Sequence, residues 1–183
     1  MLHNEKELIE RITRSDTELF AHIAEHYAQA VHTLVVRIVG SREDAEELTQ
    51  DVFVRVFEHL RLFNFKSSFS TWLYRIAYNH AISFARHRRQ PHYAIDENRL
   101  RNVSDDEVEQ MEATADNEQQ IEALARAINR LDAEERALIT LFYYKERSVA
   151  ECAEIMSQSE NNIKVRLHRI RKKLYILLQD ETK

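Results

Sequence analysis

The sequence predicts an all-α protein of two small helical domains joined by an acidic linker. Three observations carry this. Its 183 residues include one glycine and one proline. Apolar residues recur three or four positions apart, as one face of a helix requires. The single proline, Pro91, is followed by an acidic stretch that separates two periodic halves. An all-β fold is excluded, because hairpins need residues that accept positive φ. Glycine-rich loops that bring backbone close to a phosphate or dinucleotide are excluded with it. No apolar run reaches the roughly 18 residues of a membrane span, and acids are spread through the first 20 residues, so neither a span nor a signal peptide is expected. The one cysteine, Cys152, leaves no intrachain disulfide and no cysteine zinc site. That points to a reducing, cytoplasmic setting.

In the first half, Leu19, Ile23, Tyr27, Ala30, Leu34 and Ile38 mark a helix over Thr17 to Val39. Gly40 closes it, as glycine does just past a helix end. Ser41 and Asp44 resemble a capping box that opens a second helix to about Leu60. A loop over Asn64 to Ser68 leads to a third helix from Phe69 to about Arg89. Pro91 ends that helix, because the residue before proline is pushed out of the helical region. The stretch from Tyr93 to Asn117 shows little apolar periodicity and is expected to be a flexible linker, with transient helix around Val108 to Thr114. The expected boundaries are therefore 1–92, 93–117 and 118–183. In the last segment, Asp132 with Glu135 and Ser148 with Glu151 open helices over 133–145 and 149–156. Ser157-Gln158-Ser159 is a turn, and the final helix runs from Glu160 to Leu178.

The formal net charge of −5 does not suit a simple nucleic-acid binder. The charges, however, are segregated. Arg61, Lys66, Arg75, Arg86, Arg88 and Arg89 occur between positions 61 and 92 with no acid. Lys164, Arg166, Arg169, Arg171, Lys172 and Lys173 do the same between 161 and 179. Between these blocks, Asp96 to Glu122 holds ten acids against Arg99 and Arg101. Such patterning needs a cause.

At 100° per residue, Ile163, Leu167, Ile170, Leu174 and Leu177 form one stripe of the final helix. Asn161, Lys164, Val165, His168, Arg169 and Lys172 lie opposite, with Arg166, Arg171 and Lys173 on the flanks. A short helix, a tight turn and a second helix with a cationic, amide-bearing outer face is the helix-turn-helix arrangement. Asn pairs with adenine and Lys or Arg with guanine, while flanking arginines reach phosphates. A merely solvated basic face would intersperse the two signs.

The helix after Gly40 buries Ala45, Leu48, Val52 and Val56, widened by Phe53, Phe57 and Leu60. Its other face carries Glu47, Gln50, Asp51 and Glu58 around a solitary Val54. That face suits docking on a basic protein surface, although a scattered surface valine needs no function. From Arg61 to Gln90 aromatics alternate with cations, the combination that single-stranded DNA requires. Most of these rings, Trp72 among them, are expected to be core. Phe63, Phe65, Lys66, Ser67 and Ser68 sit in the loop and are the candidates for an extruded base. His22 and His26 are four apart on one helix, the spacing of a metal pair, but no third ligand accompanies them. No carboxylate lies in a setting that would tune it for acid–base work, so neither a cofactor nor an enzymatic activity is expected.

Two ordered motifs resemble a known family. The run from Asp44 to Phe57, followed by Phe69-Ser-Thr-Trp-Leu-Tyr-Arg-Ile-Ala-Tyr-Asn79, is similar to region 2 of the extracytoplasmic-function (ECF) sigma factors of bacterial RNA polymerase. Arg130 to Arg136, with Ile163-Lys-Val-Arg-Leu-His-Arg-Ile-Arg-Lys-Lys-Leu174, resembles region 4. The resemblance implies a promoter-specificity subunit. Asp44, Glu47, Leu48, Gln50, Asp51 and Val54 would dock on a coiled coil of the largest polymerase subunit. The 63–68 loop and Asn79 would capture a flipped base of the −10 element, with Arg75, Arg86, Arg88 and Arg89 on phosphates. The final helix would read the −35 duplex through Asn161, Asn162, Lys164, Val165, Arg166, His168, Arg169, Arg171 and Lys172. It also implies an anti-sigma partner and no insertion in the membrane. Two alternatives stay open at this point: an autonomous helix-turn-helix regulator, and a histidine-based metal or interaction module.

Overall fold

The computed structural model describes residues 5–88, 95–108 and 118–181, and among these there is no strand. Nine helices are used below: α1 (Glu5–Arg14), α2 (Phe20–Val39), α3 (Arg42–His59), α4 (Phe69–His87), α5 (Glu97–Asn102), α6 (Glu118–Asn129), α7 (Ala133–Ile139), α8 (Val149–Met156) and α9 (Glu160–Glu181).

Local chemistry sets the helix ends. Gly40 takes the left-handed conformation, φ 72°, and its N–H returns to the Val36 carbonyl at 2.8 Å, closing α2. Ser41 caps α3 by accepting from the Asp44 N–H, and Ser68 caps α4 by accepting from Thr71 N–H. Asp132 with Glu135 and Ser148 with Glu151 each form a complete capping box. The expected helix over 133–145 is shorter, because after Ile139 the chain widens into a π turn over Thr140–Tyr144. That turn leaves Tyr143 and Tyr144 exposed. Helix α1, which lies before the first helix expected from the sequence, packs Ile9 and Ile12 into the core.

Helices α2, α3 and α4 pack on one another, and α8 and α9 form the second nucleus with α6 and α7. The two nuclei touch along α4 with α8 and α2 with α7, and one apolar core runs from Ile9 through to Leu177. Polar contacts stitch the same seam. The Arg136 guanidinium, itself buried, donates to the carbonyls of Arg37 at 2.7 Å and Ile38 at 2.8 Å, and on its own side to Leu131 at 2.7 Å. Arg147 donates to Ser70 Oγ at 3.1 Å, and Thr71 Oγ1 donates to Glu151 Oε1 at 3.3 Å. Glu134 accepts from both Arg86 and Arg166.

The expectation of a flexible linker over 93–117 fails for residues 95–108. They form α5 and a further helical turn at 105–108, and Leu100, Val103 and Val108 are buried against Ile176. Three well-spaced apolar residues suffice here because the second helical half offers them a surface. Residues 93–94 and 109–117 lie outside the described residues, as does most of the expected 108–114 helix.

Candidate nucleic-acid interface

The turn between α8 and α9 places the outer face of α9. Ser157 ends α8 in the left-handed region, φ 54°, where a non-glycine residue costs about 1–2 kcal/mol. The Gln158 N–H returns to the Ala153 carbonyl at 2.9 Å, and Ser159 Oγ accepts from Asn162 N–H at 3.2 Å, opening α9. Below the turn Cys152, Ile155, Ile163 and Leu167 are buried. Burial pushes the Cys152 thiol up to about 12, with Glu151 adding to the effect, so this cysteine is packing and not a nucleophile.

The expected stripe of Ile163, Leu167, Ile170, Leu174 and Leu177 is buried throughout, and each residue contributes about 1.5–3 kcal/mol of burial. Asn161, Asn162, Lys164, Val165, His168 and Arg169 stand exposed on the other side. Val165, 57% exposed, offers the apolar contact that a thymine methyl takes.

The cations of α9 differ in what they touch. Among the described residues no carboxylate pairs with Lys164. Arg166 turns inward to Glu134 at 3.2 Å, so it faces the seam between the halves instead of a flank. Arg171 Nε donates to the Tyr143 hydroxyl at 2.7 Å. Arg169 pairs with Glu97, Lys172 with Asp105 at 3.0 Å, and Lys173 with Glu135. His168 lies 3.4 Å from the same Asp105.

On the first half, α3 presents Glu47, Gln50, Asp51, Val54 and Glu58 to solvent, with Val54 57% exposed. Two residues expected on this docking face are placed otherwise. Leu48 is buried, because it shares the α3 stripe with Ala45 and Val52. Asp44 is mostly covered and pairs with Arg88. His80 of α4 stands 3.5 Å from Asp51.

The 63–68 loop splits its aromatics. Phe63, expected to be open to an extruded base, is buried, with ring centroids 5.6 Å from Phe69 and 5.3 Å from Trp72. Apolar rings already surround its position, so packing claims it. Phe65 is exposed, with its ring 4.7 Å from Phe63 and the Lys6 ammonium 5.5 Å from its centroid. Its φ of 58° is a left-handed conformation for a bulky residue, a strain held by the surrounding loop. Asn64 Oδ1 accepts from Lys66 N–H at 3.2 Å and shapes the turn that displays Phe65 and Lys66. Ser67 is half-buried, and Ser68 is spent on capping α4. Asn79 is exposed on α4, Arg75 faces Glu154 at 4.0 Å, and Arg86 donates to Glu134 at 2.8 Å. Arg89 lies outside the described residues. His22 and His26 are exposed, and His26 packs edge-on to Tyr27.

The Sigma-70 region 2 family model matches residues 23–90, spanning α2 to α4 and the aromatic loop. The Sigma-70, region 4 model matches residues 121–174, including α7, α8 and most of α9. The ECF RNA polymerase sigma factor SigW of Bacillus subtilis is 30% identical, with 96% of this chain and 97% of that protein covered. The chain belongs to the ECF sigma factors. It is thus a promoter-specificity subunit, which binds core RNA polymerase and directs initiation at its promoters. Two solved structures share the fold. One is CnrH in complex with the cytosolic domain of CnrY, at TM-score 0.67 and 21% identity, covering 96% of this chain and 97% of that one. The other is RpoE in complex with the anti-sigma factor NepR from Bartonella quintana, at TM-score 0.64 and 21% identity, covering 87% and 96%. In this sigma factor residues 91–120, including α5, fall between the two family matches.

Sequence reasoning missed Arg136 and Glu134 as organising residues. The only signal for Arg136 is a cation set in the apolar run Ala137-Leu138-Ile139, with its partners about a hundred positions away.

Proposed function

We propose that this sigma factor selects promoters through three surfaces. The α3 face of Glu47, Gln50, Asp51 and Val54 docks on the polymerase, with Leu48 supporting it from beneath and Asp44 joining it once Arg88 lets go. Charge complementarity steers the encounter and Val54 packs once water is expelled. Phe65 and Lys66, with Asn79 and the start of α4, take up a base leaving the −10 stack. Stacking on a ring is worth about 1–3 kcal/mol per base, the same order as the cost of unstacking it. Arg75, Arg86, Arg88 and Arg89 hold phosphates once their intramolecular partners let go. The exposed N-terminal half of α9, from Asn161 to Val165, reads −35 base edges, while His168, Arg169, Arg171 and Lys172 follow the backbone. Residues 1–92, 93–117 and 118–183 serve as docking and melting domain, linker and duplex reader. The chain has no catalytic role of its own: polymerase performs the chemistry in the cytoplasm. No helix among the described residues is long and apolar enough to cross a membrane. The Bartonella quintana relative is held by an anti-sigma factor, and a partner of that kind is proposed here too.

The observation that carries this is the split of α9: five buried aliphatic residues on one side, and Asn161, Lys164 and Val165 open on the other. Holoenzyme carrying Lys164→Ala or Asn161→Ala is expected to change its −35 base preference. Arg171→Ala is expected to weaken all sequences alike and to lower the salt slope by about one. Equal loss on every sequence from all three variants contradicts the assigned register.

A further inference from the structure

Residues 95–108 lie on the part of α9 that the −35 backbone needs. An apolar anchor holds them there: Leu100, Val103 and Val108 bury against Ile176, with Ile95 and Tyr175 at the margin. This explains why Ile176, outside the main stripe of α9, is buried. Hydrogen bonds fix the register. Arg99 grips Asp180 with two bonds at 2.8 and 3.1 Å, and the Tyr175 hydroxyl donates to Glu107 Oε1 at 3.1 Å. Ser104 and Glu107 bond reciprocally, Ser104 N–H to Glu107 Oε2 at 2.8 Å and Glu107 N–H to Ser104 Oγ at 3.3 Å, which shapes the turn at 105–108.

Thus anchored, the segment sets carboxylates where phosphates would lie. Glu97 pairs with Arg169, and Asp105 lies 3.0 Å from Lys172 and 3.4 Å from His168. Asn161, Asn162, Lys164 and Val165, a turn or two earlier, stay uncovered.

We infer that residues 95–108 are an intramolecular phosphate mimic, which masks the backbone-gripping half of the −35 helix until duplex DNA displaces it. The inference rests on the −35 roles proposed above for His168, Arg169 and Lys172. Magnitudes favour a releasable strap. Asp105 and Glu97 are 68% and 59% exposed at their side chains, so water screens both pairs and each holds only weakly. A duplex presents a charge about every 1.7 Å along its axis, whereas the strap offers two carboxylates to these cations. The strap therefore suppresses loose, sequence-independent binding by the free subunit more than it impedes a promoter engaged along its whole length.

The test uses the full chain and a mixed-sequence duplex, with fluorescence anisotropy over a range of salt concentrations. Glu97→Gln/Asp105→Asn is expected to bind about tenfold tighter at low salt, with the slope of log affinity against log salt steeper by about two, one for each freed cation. Asp106→Asn/Glu43→Gln, which removes the same charge at exposed positions outside these contacts, is the control and should change the slope little. Arg169→Ala/Lys172→Ala should weaken binding in the strap-neutralised background and hardly at all in the wild-type background. Equal weakening in both backgrounds, or a strap variant that behaves like the control, overturns the strap and leaves the −35 assignment standing. No effect of Arg169→Ala/Lys172→Ala in either background refutes the −35 assignment, and the strap with it.

Discussion

Arg136 Nη2 donates to the Ile38 carbonyl oxygen at 2.8 Å, joining residues 98 positions apart in the chain. The last carbonyls of a helix have no partner within it, and one guanidinium here satisfies those of Arg37 and Ile38 just before the Gly40 turn. Carbonyl oxygens hold this guanidinium, and burial lowers its pKa. The contact belongs to both halves at once, so each half lends stability to the other.

Arg136→Ala should therefore lower the stability of the whole chain by about 2–4 kcal/mol, since several charge-assisted bonds and a helix end lose their partner together. Arg136→Lys should rescue little of this, because an ammonium cannot span carbonyls in a planar fork. Urea unfolding of the full chain measures it. A loss under about 0.5 kcal/mol, of the size typical for surface changes, would show that the seam is not held here.

Val54→Asp separates docking from folding. At 57% exposure Val54 contributes little to the core, so unfolding should shift by less than about 0.5 kcal/mol. Association with core polymerase, followed by co-elution, should fall at least tenfold. An unfolded variant would mean that the α3 surface is misassigned.

Phe65→Ala should leave the fold nearly intact, since the ring is half-exposed and its positive φ is strained. Permanganate reactivity of promoter thymines, which reports strand opening, should drop strongly. Phe63→Ala should behave in the opposite way and cost about 3–5 kcal/mol of stability, as expected for a buried aromatic.

Titration gives a separate check on the core. Burial raises the Tyr78 phenol to about 12, with Glu134 assisting. A phenol whose folded pKa is raised stabilises the fold fully below its unfolded value near 10, and that contribution disappears as pH climbs from 10 to 12. Absorbance at 295 nm should show Tyr78 ionising late, and Tyr78→Phe should flatten the alkaline loss of stability. Cys152 should resist a thiol reagent at pH 8 until denaturant is added. Rapid labelling of the native chain would contradict its burial.

Local rules made part of this legible. Gly40, the Asp132 and Ser148 boxes and the α9 stripe depend on neighbours within a few positions, and each is found in place. Phe63 and Phe65 were not distinguishable in the sequence, because two residues of identical type two positions apart differ only in what the fold brings over them. The 95–108 segment was hidden for a related reason. Its apolar residues are too sparse for a stripe of their own and find their partner, Ile176, some seventy positions later. The resemblance implies Arg86 and Arg88 as phosphate ligands, and its flank position on the final helix does the same for Arg166, yet in the free chain they are held by Glu134 and Asp44. Charge patterning shows where cations cluster but not which internal acids reach them first.

Run-off transcription with bacterial core polymerase on a promoter library tests the central claim most directly. Adding this chain should produce discrete transcripts from a subset of templates that share spaced −35 and −10 sequences, with none from core enzyme alone. A well-folded chain that leaves core polymerase without start-site selection would contradict the account.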